Sequence, residues 1–189
     1  MVRLSQRLFL EDENNSSLAQ VIDQKGSGHA RIGGSFELID HEGQARTEAD
    51  YKGKFLLVYF GYTFCPDICP TALYNISQAL DTLGKKSDQL IPLFISIDPE
   101  RDTVKQLALY KSNFNPRIVM LTGSKEQVEK AAKAYRVYFT KAKPDGTSSD
   151  YLVDHSSIIY VMDRQGRFVT SFNHETPSHE IVRVLSPLI

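Results

Sequence analysis

The two cysteines of this chain, Cys65 and Cys69, are the only ones among its 189 residues, and both fall at a single junction. Ahead of them runs Phe55-Leu56-Leu57-Val58-Tyr59-Phe60, an unbroken apolar stretch of the length expected for a buried strand. Behind them Ala72, Leu73, Ile76, Ala79, Leu80 and Leu83 recur at helical spacing. The thiols therefore sit where a strand turns into a helix, and in open parallel sheets that end of a strand is where ligands bind. Backbone N–H groups at a helix start stabilise negative charge, so the position favours thiolate over thiol. A spacing of four places both side chains on one helical face, and their Cα atoms within the roughly 4.4–6.8 Å that a disulfide tolerates.

The rest of the chain supplies the frame. Residues 1–30 read as a leader or linker, with the polar run Glu11-Asp12-Glu13-Asn14-Asn15-Ser16-Ser17 and the turn-rich Gly26-Ser27-Gly28; the domain is expected over 31–189. Phe36 to Ile39 and Ala45 to Glu48 flank Asp40-His41-Glu42-Gly43 as a hairpin. Gly84 is the expected stop of the helix after Pro70, and Leu90 to Ile97 is a second buried strand ending in the turn Asp98-Pro99. Asp102 is expected to cap a helix carrying Val104, Leu107, Ala108 and Phe114. Val119 to Thr122 is a short strand, and Ser124-Lys125-Glu126-Gln127 is a capping box for the next helix. An edge strand over Val137 to Thr140 and a polar loop from Pro144 through Asp150 follow. Ser157 to Met162 and Arg167 to Phe172 form a hairpin around Asp163-Arg164-Gln165-Gly166, and Thr176 caps a last helix with Pro177 in its first position. This order predicts an α/β protein: a thioredoxin-like fold with an N-terminal β-hairpin and insertions, its central mixed sheet flanked by helices.

Composition removes several function classes. A net charge of −1 leaves no electrostatic case for nucleic acid. No stretch approaches the ~20 apolar residues that span a bilayer. Leu8-Phe9-Leu10 is too short an apolar cluster for a signal peptide, which leaves either a cytosolic protein or one whose export or anchor segment lies outside this chain. Two cysteines make no disulfide scaffold; they suggest a redox pair or a metal site, with a plain disulfide or buried thiols as the bland alternative.

His155 is the third residue of interest. It lies in Tyr151-Leu152-Val153-Asp154-His155-Ser156-Ser157, ahead of a strand whose preceding loop packs beside the cysteine loop in a thioredoxin-like fold. Two thiolates and an imidazole suit Cu(I), whereas structural zinc and iron–sulfur clusters usually take four ligands. A lone histidine is more often an ordinary loop residue. His29, His41, His174 and His179 are read as surface histidines. Asp67, Asp98 and Asp154 are candidates for supporting the donors from behind, although Asp67 also suits a helix cap and Asp98-Pro99 an ordinary turn.

Three stretches together resemble the SCO/SenC family. They are Gly61-Tyr62-Thr63-Phe64-Cys65-Pro66-Asp67-Ile68-Cys69-Pro70, Ile97-Asp98-Pro99-Glu100-Arg101-Asp102-Thr103 and Val153-Asp154-His155-Ser156-Ser157, in that order. Ile32-Gly33-Gly34-Ser35-Phe36-Glu37-Leu38 is similar to the family's domain start, with Ser35 where many members have proline, and Phe64 stands where some have histidine. The resemblance covers the chain from about Arg31 onward. It implies a thioredoxin-fold copper protein, with Cys65, Cys69 and His155 as ligands of copper, as Cu(I) or Cu(II). It also implies a role in assembling the CuA site of cytochrome c oxidase. The implied partners are the oxidase subunit II domain, a copper donor chaperone and a thiol reductant. The implied location is the periplasmic or intermembrane-space side of an inner membrane, through an anchor that this chain lacks.

A metallochaperone, rather than an enzyme, is the leading expectation. The alternatives are a thiol–disulfide oxidoreductase that reduces the CuA cysteines and a copper-linked redox sensor. Thioredoxin-type oxidoreductases use C-x-x-C and a cis-proline facing the thiols. This chain has three residues between its cysteines, and no proline between Tyr151 and Tyr160.

Overall fold

The computed structural model describes residues 31–142 and 151–189. The strands are β1 (Glu37–Asp40), β2 (Ala45–Thr47), β3 (Phe55–Gly61), β4 (Leu90–Ser96), β5 (Val119–Thr122), β6 (Phe139–Ala142), β7 (Leu152–His155), β8 (Ile158–Met162) and β9 (Phe168–Asn173). The helices are α1 (Ile68–Leu83), α2 (Val104–Lys111), α3 (Lys125–Ala134) and α4 (Ser178–Leu185). Seven strands form one mixed sheet in the order β2-β1-β5-β4-β3-β8-β9. The centre is parallel, with β3 beside β4 and β4 beside β5, while β8 runs antiparallel against β3 and β1 antiparallel against β5. The expected α/β, thioredoxin-like architecture is what the chain adopts.

All seven residues of β3 are buried, as a strand covered on both faces requires. Alternation divides its side chains. Tyr59 and Gly61 share a face with their β4 partners Phe94 and Ser96, and Tyr110 of α2 packs on Phe94 there, ring centres 5.9 Å apart. On the other face Phe60 meets Tyr135, just past α3, at 5.4 Å, and Tyr135 meets Tyr160 of β8 at 5.8 Å. The helix α1 buries Ala72, Leu73, Ile76, Ala79, Leu80 and Leu83, and Gly84 ends it with φ 54°, a left-handed value that glycine takes without cost.

Several elements depart from the sequence expectation. Asp102 does not cap α2; Thr103 does, accepting from the Gln106 N–H, while Asp102 is turned into the interior. The strand expected over Val137 to Thr140 begins later, at Phe139. The Val137 N–H instead closes the end of α3 on the Ala132 carbonyl, with Arg136 at φ 58°. It is also no edge of the main sheet, because β6 pairs antiparallel with β7 as a separate two-stranded ribbon. Thr176 does not cap α4: its hydroxyl lies 3.1 Å from Asn173 Oδ1, and the helix opens at Ser178 after Pro177. The loop expected over Pro144 to Asp150, His29 and the leader lie outside the described residues. Among the described residues no helix is long and apolar enough to cross a membrane.

Candidate metal centre

The chain leaves β3 at Gly61, turns at Tyr62 to Cys65, where the Cys65 N–H meets the Tyr62 carbonyl at 3.3 Å, and enters α1 at Ile68. Only Cys69 is helical. Cys65 lies in the turn before the helix, so the shared helical face expected from the spacing is not the geometry. Instead Cys65 Sγ curls over the helix start and accepts the Cys69 N–H at 3.4 Å. Asp67 occupies the N-cap position without a side-chain capping bond. The Cys65 sulfur takes the acceptor role that a cap residue usually fills.

Both sulfurs are sequestered, Cys65 being 8% and Cys69 0% exposed, and they are not joined in a disulfide. Cys65 is held down to about 3, first by the hydrogen bond from the Cys69 thiol, against burial, and then by His155 and the backbone N–H groups of Cys69 and Asp67. The same hydrogen bond, with burial and the neighbouring negative charge, pushes Cys69 up. The pair therefore favours a Cys65 thiolate that accepts a hydrogen bond from the Cys69 thiol.

His155 ends β7, and its Nε2 lies 3.7 Å from Cys69 Sγ. Its Nδ1 lies 3.3 Å from the Ser156 carbonyl, an oxygen that can only accept; with the proton on Nδ1, the Nε2 lone pair faces the sulfur. The ring stands edge-on to Tyr59 at 6.3 Å and to Tyr62 at 6.1 Å. Among the described residues no three His, Cys, Asp or Glu side chains already surround a common metal position. Cys65, Cys69 and His155 make hydrogen-bonding contacts with one another instead, so a metal would enter by parting them.

The three supporting carboxylates differ. Asp98 is fully buried and braces two elements: its Oδ2 accepts from Arg101 Nε at 2.5 Å and its Oδ1 from the Tyr151 hydroxyl at 2.5 Å. The Arg101 guanidinium in turn lies 3.8 Å from the Tyr151 ring centre and 4.8 Å from that of Phe64, the residue before Cys65. Asp67 acts through its backbone N–H toward Cys65. Asp154 is exposed, one residue out of phase with Val153 and His155 on β7, so alternation turns it to the opposite face from the imidazole. His41 is not a bare surface residue either; its Nδ1 accepts from the Met120 N–H at 3.4 Å.

The sequence reading missed two participants. Asp102, fully buried, accepts from the Thr63 N–H at 3.0 Å, the Thr63 hydroxyl at 2.6 Å and the Ser96 hydroxyl at 2.6 Å. It ties the cysteine turn to the end of β4, and burial raises its pKa against these hydrogen bonds. Tyr59 donates its hydroxyl to Cys69 Sγ at 3.6 Å. The signal for it was present, since it carries the only hydroxyl in the apolar run from Phe55 to Phe60.

A thioredoxin-like sheet that presents a paired thiolate and thiol against an imidazole defines a thiol-based metal-binding or redox domain. The sequence profile of the SCO1/SenC family matches residues 24–189, and the chain belongs to that family. It is 43% identical over 178 residues to Protein sco1 of Schizosaccharomyces pombe, covering 93% of this chain and 65% of that protein. It is 42% identical over 160 residues to the mitochondrial SCO1 homolog of Homo sapiens, covering 84% of this chain and 53% of that protein. The chain thus spans roughly half to two thirds of the length of these relatives. Among solved structures, Bradyrhizobium japonicum ScoI with copper bound superposes with a TM-score of 0.78 at 43% identity, covering 84% of this chain and 99% of that one.

Proposed function

We propose that this chain binds one Cu(I) through Cys65, Cys69 and His155 and delivers it to the CuA site of cytochrome c oxidase subunit II. The observation that carries this reading is the 3.7 Å approach of Cys69 Sγ and His155 Nε2 beside the Cys65 thiolate. The donor set of two soft sulfurs and an imidazole matches Cu(I), and copper is the metal held by the Bradyrhizobium relative.

Loading begins at Cys65, the sulfur already ionised. Cu(I) then takes the Cys69 sulfur in exchange for its proton, and the Nε2 lone pair completes the set. Three ligands leave one side of the ion open. A thiolate of an acceptor can enter there and exchange ligands one at a time; Phe64 and Ile68, the residues just before Cys65 and Cys69, are exposed. The donor is a copper chaperone and the reductant a thiol system, working on the periplasmic or intermembrane-space side of an inner membrane. Cys65 and Cys69 form a disulfide on oxidation, which releases the metal because only thiolate ligates.

Anaerobic Cu(I) titration of the reduced protein, with X-ray absorption to count sulfur and nitrogen ligands, tests the assignment. One Cu(I) with two sulfurs and one nitrogen is expected. Cys65→Ala or Cys69→Ala should abolish tight binding and His155→Ala should weaken it less. Full-strength binding by Cys65→Ala would sink the ligand set. Delivery is tested on the isolated CuA domain with its thiols already reduced. His155→Ala should slow metallation while thiol exchange survives, and the reverse pattern would make the protein a disulfide reductase instead.

A further inference from the structure

We propose that Tyr59 is a positioning residue for this thiol pair, its hydroxyl holding the Cys69 sulfur in place and favouring the reduced and metal-bound forms of the pair over the disulfide. The copper part of this proposal rests on the metal-binding reading above; the disulfide part does not. Tyr59 lies in the middle of the central strand and is 0% exposed. Phenylalanine at this position would fill the same space between Phe94, 6.2 Å away, and the His155 ring. The hydroxyl therefore adds a polar group to a position whose packing does not need one. Buried tyrosine hydroxyls find a partner, and this one is Cys69 Sγ at 3.6 Å.

The same strand makes room for the contact. Gly61, two residues on and facing the same way, has no Cβ; one placed there would lie 2.8 Å from Cys69 Sγ. Strand β3 thus offers the sulfur both a place to sit and a donor to sit against. Around that sulfur, Cys65 and His155 are rearranged when a metal enters or a disulfide forms, whereas Tyr59 is fixed in a ladder paired on both sides. A hydroxyl donates more strongly to sulfur that carries or shares negative charge than to neutral disulfide sulfur; the metal-bound Cys69 carries that charge outright, and in the reduced pair Cys69 shares the charge of Cys65 through the hydrogen bond between them. Tyr59 accordingly favours the reduced and metal-bound forms over the disulfide.

The test is Tyr59→Phe, which keeps the ring. The metal-free protein is equilibrated with glutathione at fixed pH. In that exchange the Cys65–Cys69 bond breaks as two glutathione thiols supply two electrons and two protons and leave as glutathione disulfide; where Cys65 stays ionised, one proton passes to solvent. Loss of the hydroxyl is expected to shift the equilibrium about tenfold toward the protein disulfide, a midpoint about 30 mV more negative. In the Cu(II)-loaded protein the sulfur-to-copper charge-transfer band is expected at lower energy, since the sulfur loses a hydrogen bond. Phe94→Leu is the packing control: it should lower the melting temperature and leave the midpoint in place. An unchanged midpoint and band in Tyr59→Phe, or an equal midpoint shift in Phe94→Leu, overturns the proposal. If neither wild type nor variant binds copper, the metal-binding reading fails, and the glutathione midpoint still decides the role of Tyr59.

Discussion

Gly61 is the position where a single added methyl group tests the geometry of the centre most directly. Its φ is not in the left-handed region, so alanine meets no backbone strain; the obstacle is space. A Cβ at Gly61 would lie 2.7 Å from Phe94 Cε2 and 2.8 Å from Cys69 Sγ. Ordinary carbon contacts begin at about 3.5 Å, so each neighbour would have to withdraw by roughly 0.7–0.8 Å. Neither can do so freely, since Phe94 and Cys69 are both 0% exposed and Cys69 is fixed in the first turn of α1. Overpacking of this kind costs about 1–3 kcal/mol. For a domain of this size that is a fall in melting temperature of roughly 2–12 °C. The displaced sulfur also leaves its place beside His155 and the Tyr59 hydroxyl, and Cu(I) affinity should drop roughly 10–100-fold, as when support behind a ligand is lost. Denaturant melts of the metal-free protein and competitive Cu(I) titration of the folded variant read the two effects separately. Gly61→Ala with wild-type stability and wild-type affinity would show that the sulfur does not rest against this strand, and the description of the centre would fail with it.

Two further predictions follow from the charges. Because Cys65 is already ionised at neutral pH and Cys69 holds its proton, Cu(I) binding between pH 7 and pH 8 should release close to one proton per metal. Calorimetry in buffers of differing ionisation enthalpy reads this number, and release of two protons would show the thiols to be independent. Asp102→Ala removes the acceptor for three donors, from Thr63 and Ser96, and should cost about 2–4 kcal/mol in urea unfolding. A loss below about 0.5 kcal/mol would mean that water replaces the carboxylate there and that it does not hold the cysteine turn.

Much of this arrangement is legible in the sequence because it is local. The apolar run of β3, the periodic apolar face of α1, the Ser124 capping box and the Gly84 stop are each written within a dozen residues, and each is found where expected. What was misread depends on distant partners. Asp102 before Thr103 looks like a helix cap, and only the fold brings Thr63, 39 positions earlier, to its carboxylate. The β6–β7 ribbon is hidden for a similar reason: its strands are four residues each, and their register emerges only once paired. The spacing of the cysteines suggested a common helical face, yet Pro66 and the turn at Tyr62 keep Cys65 off the helix. The thiols still meet, by the Cys65 sulfur folding back onto the helix start.

The ribbon bears on how the metal is given up. His155 belongs to a pair of strands that shares no ladder with the seven-stranded sheet. Among the described residues the ribbon's polar ties to the sheet side are the Val153 N–H to the Tyr62 hydroxyl at 3.2 Å, Tyr151 to Asp98, and Lys141 to Glu100 at 2.7 Å, with Val153 buried in the core and Phe139 and Tyr151 packed against it. The thiols, by contrast, are buried at the junction of the central strand β3 and α1. Opening a ribbon that shares no ladder with the main sheet requires less free energy than global unfolding. On the ligand set proposed above, the imidazole is then the donor expected to leave first and the sulfurs last, which gives cargo release a built-in sequence.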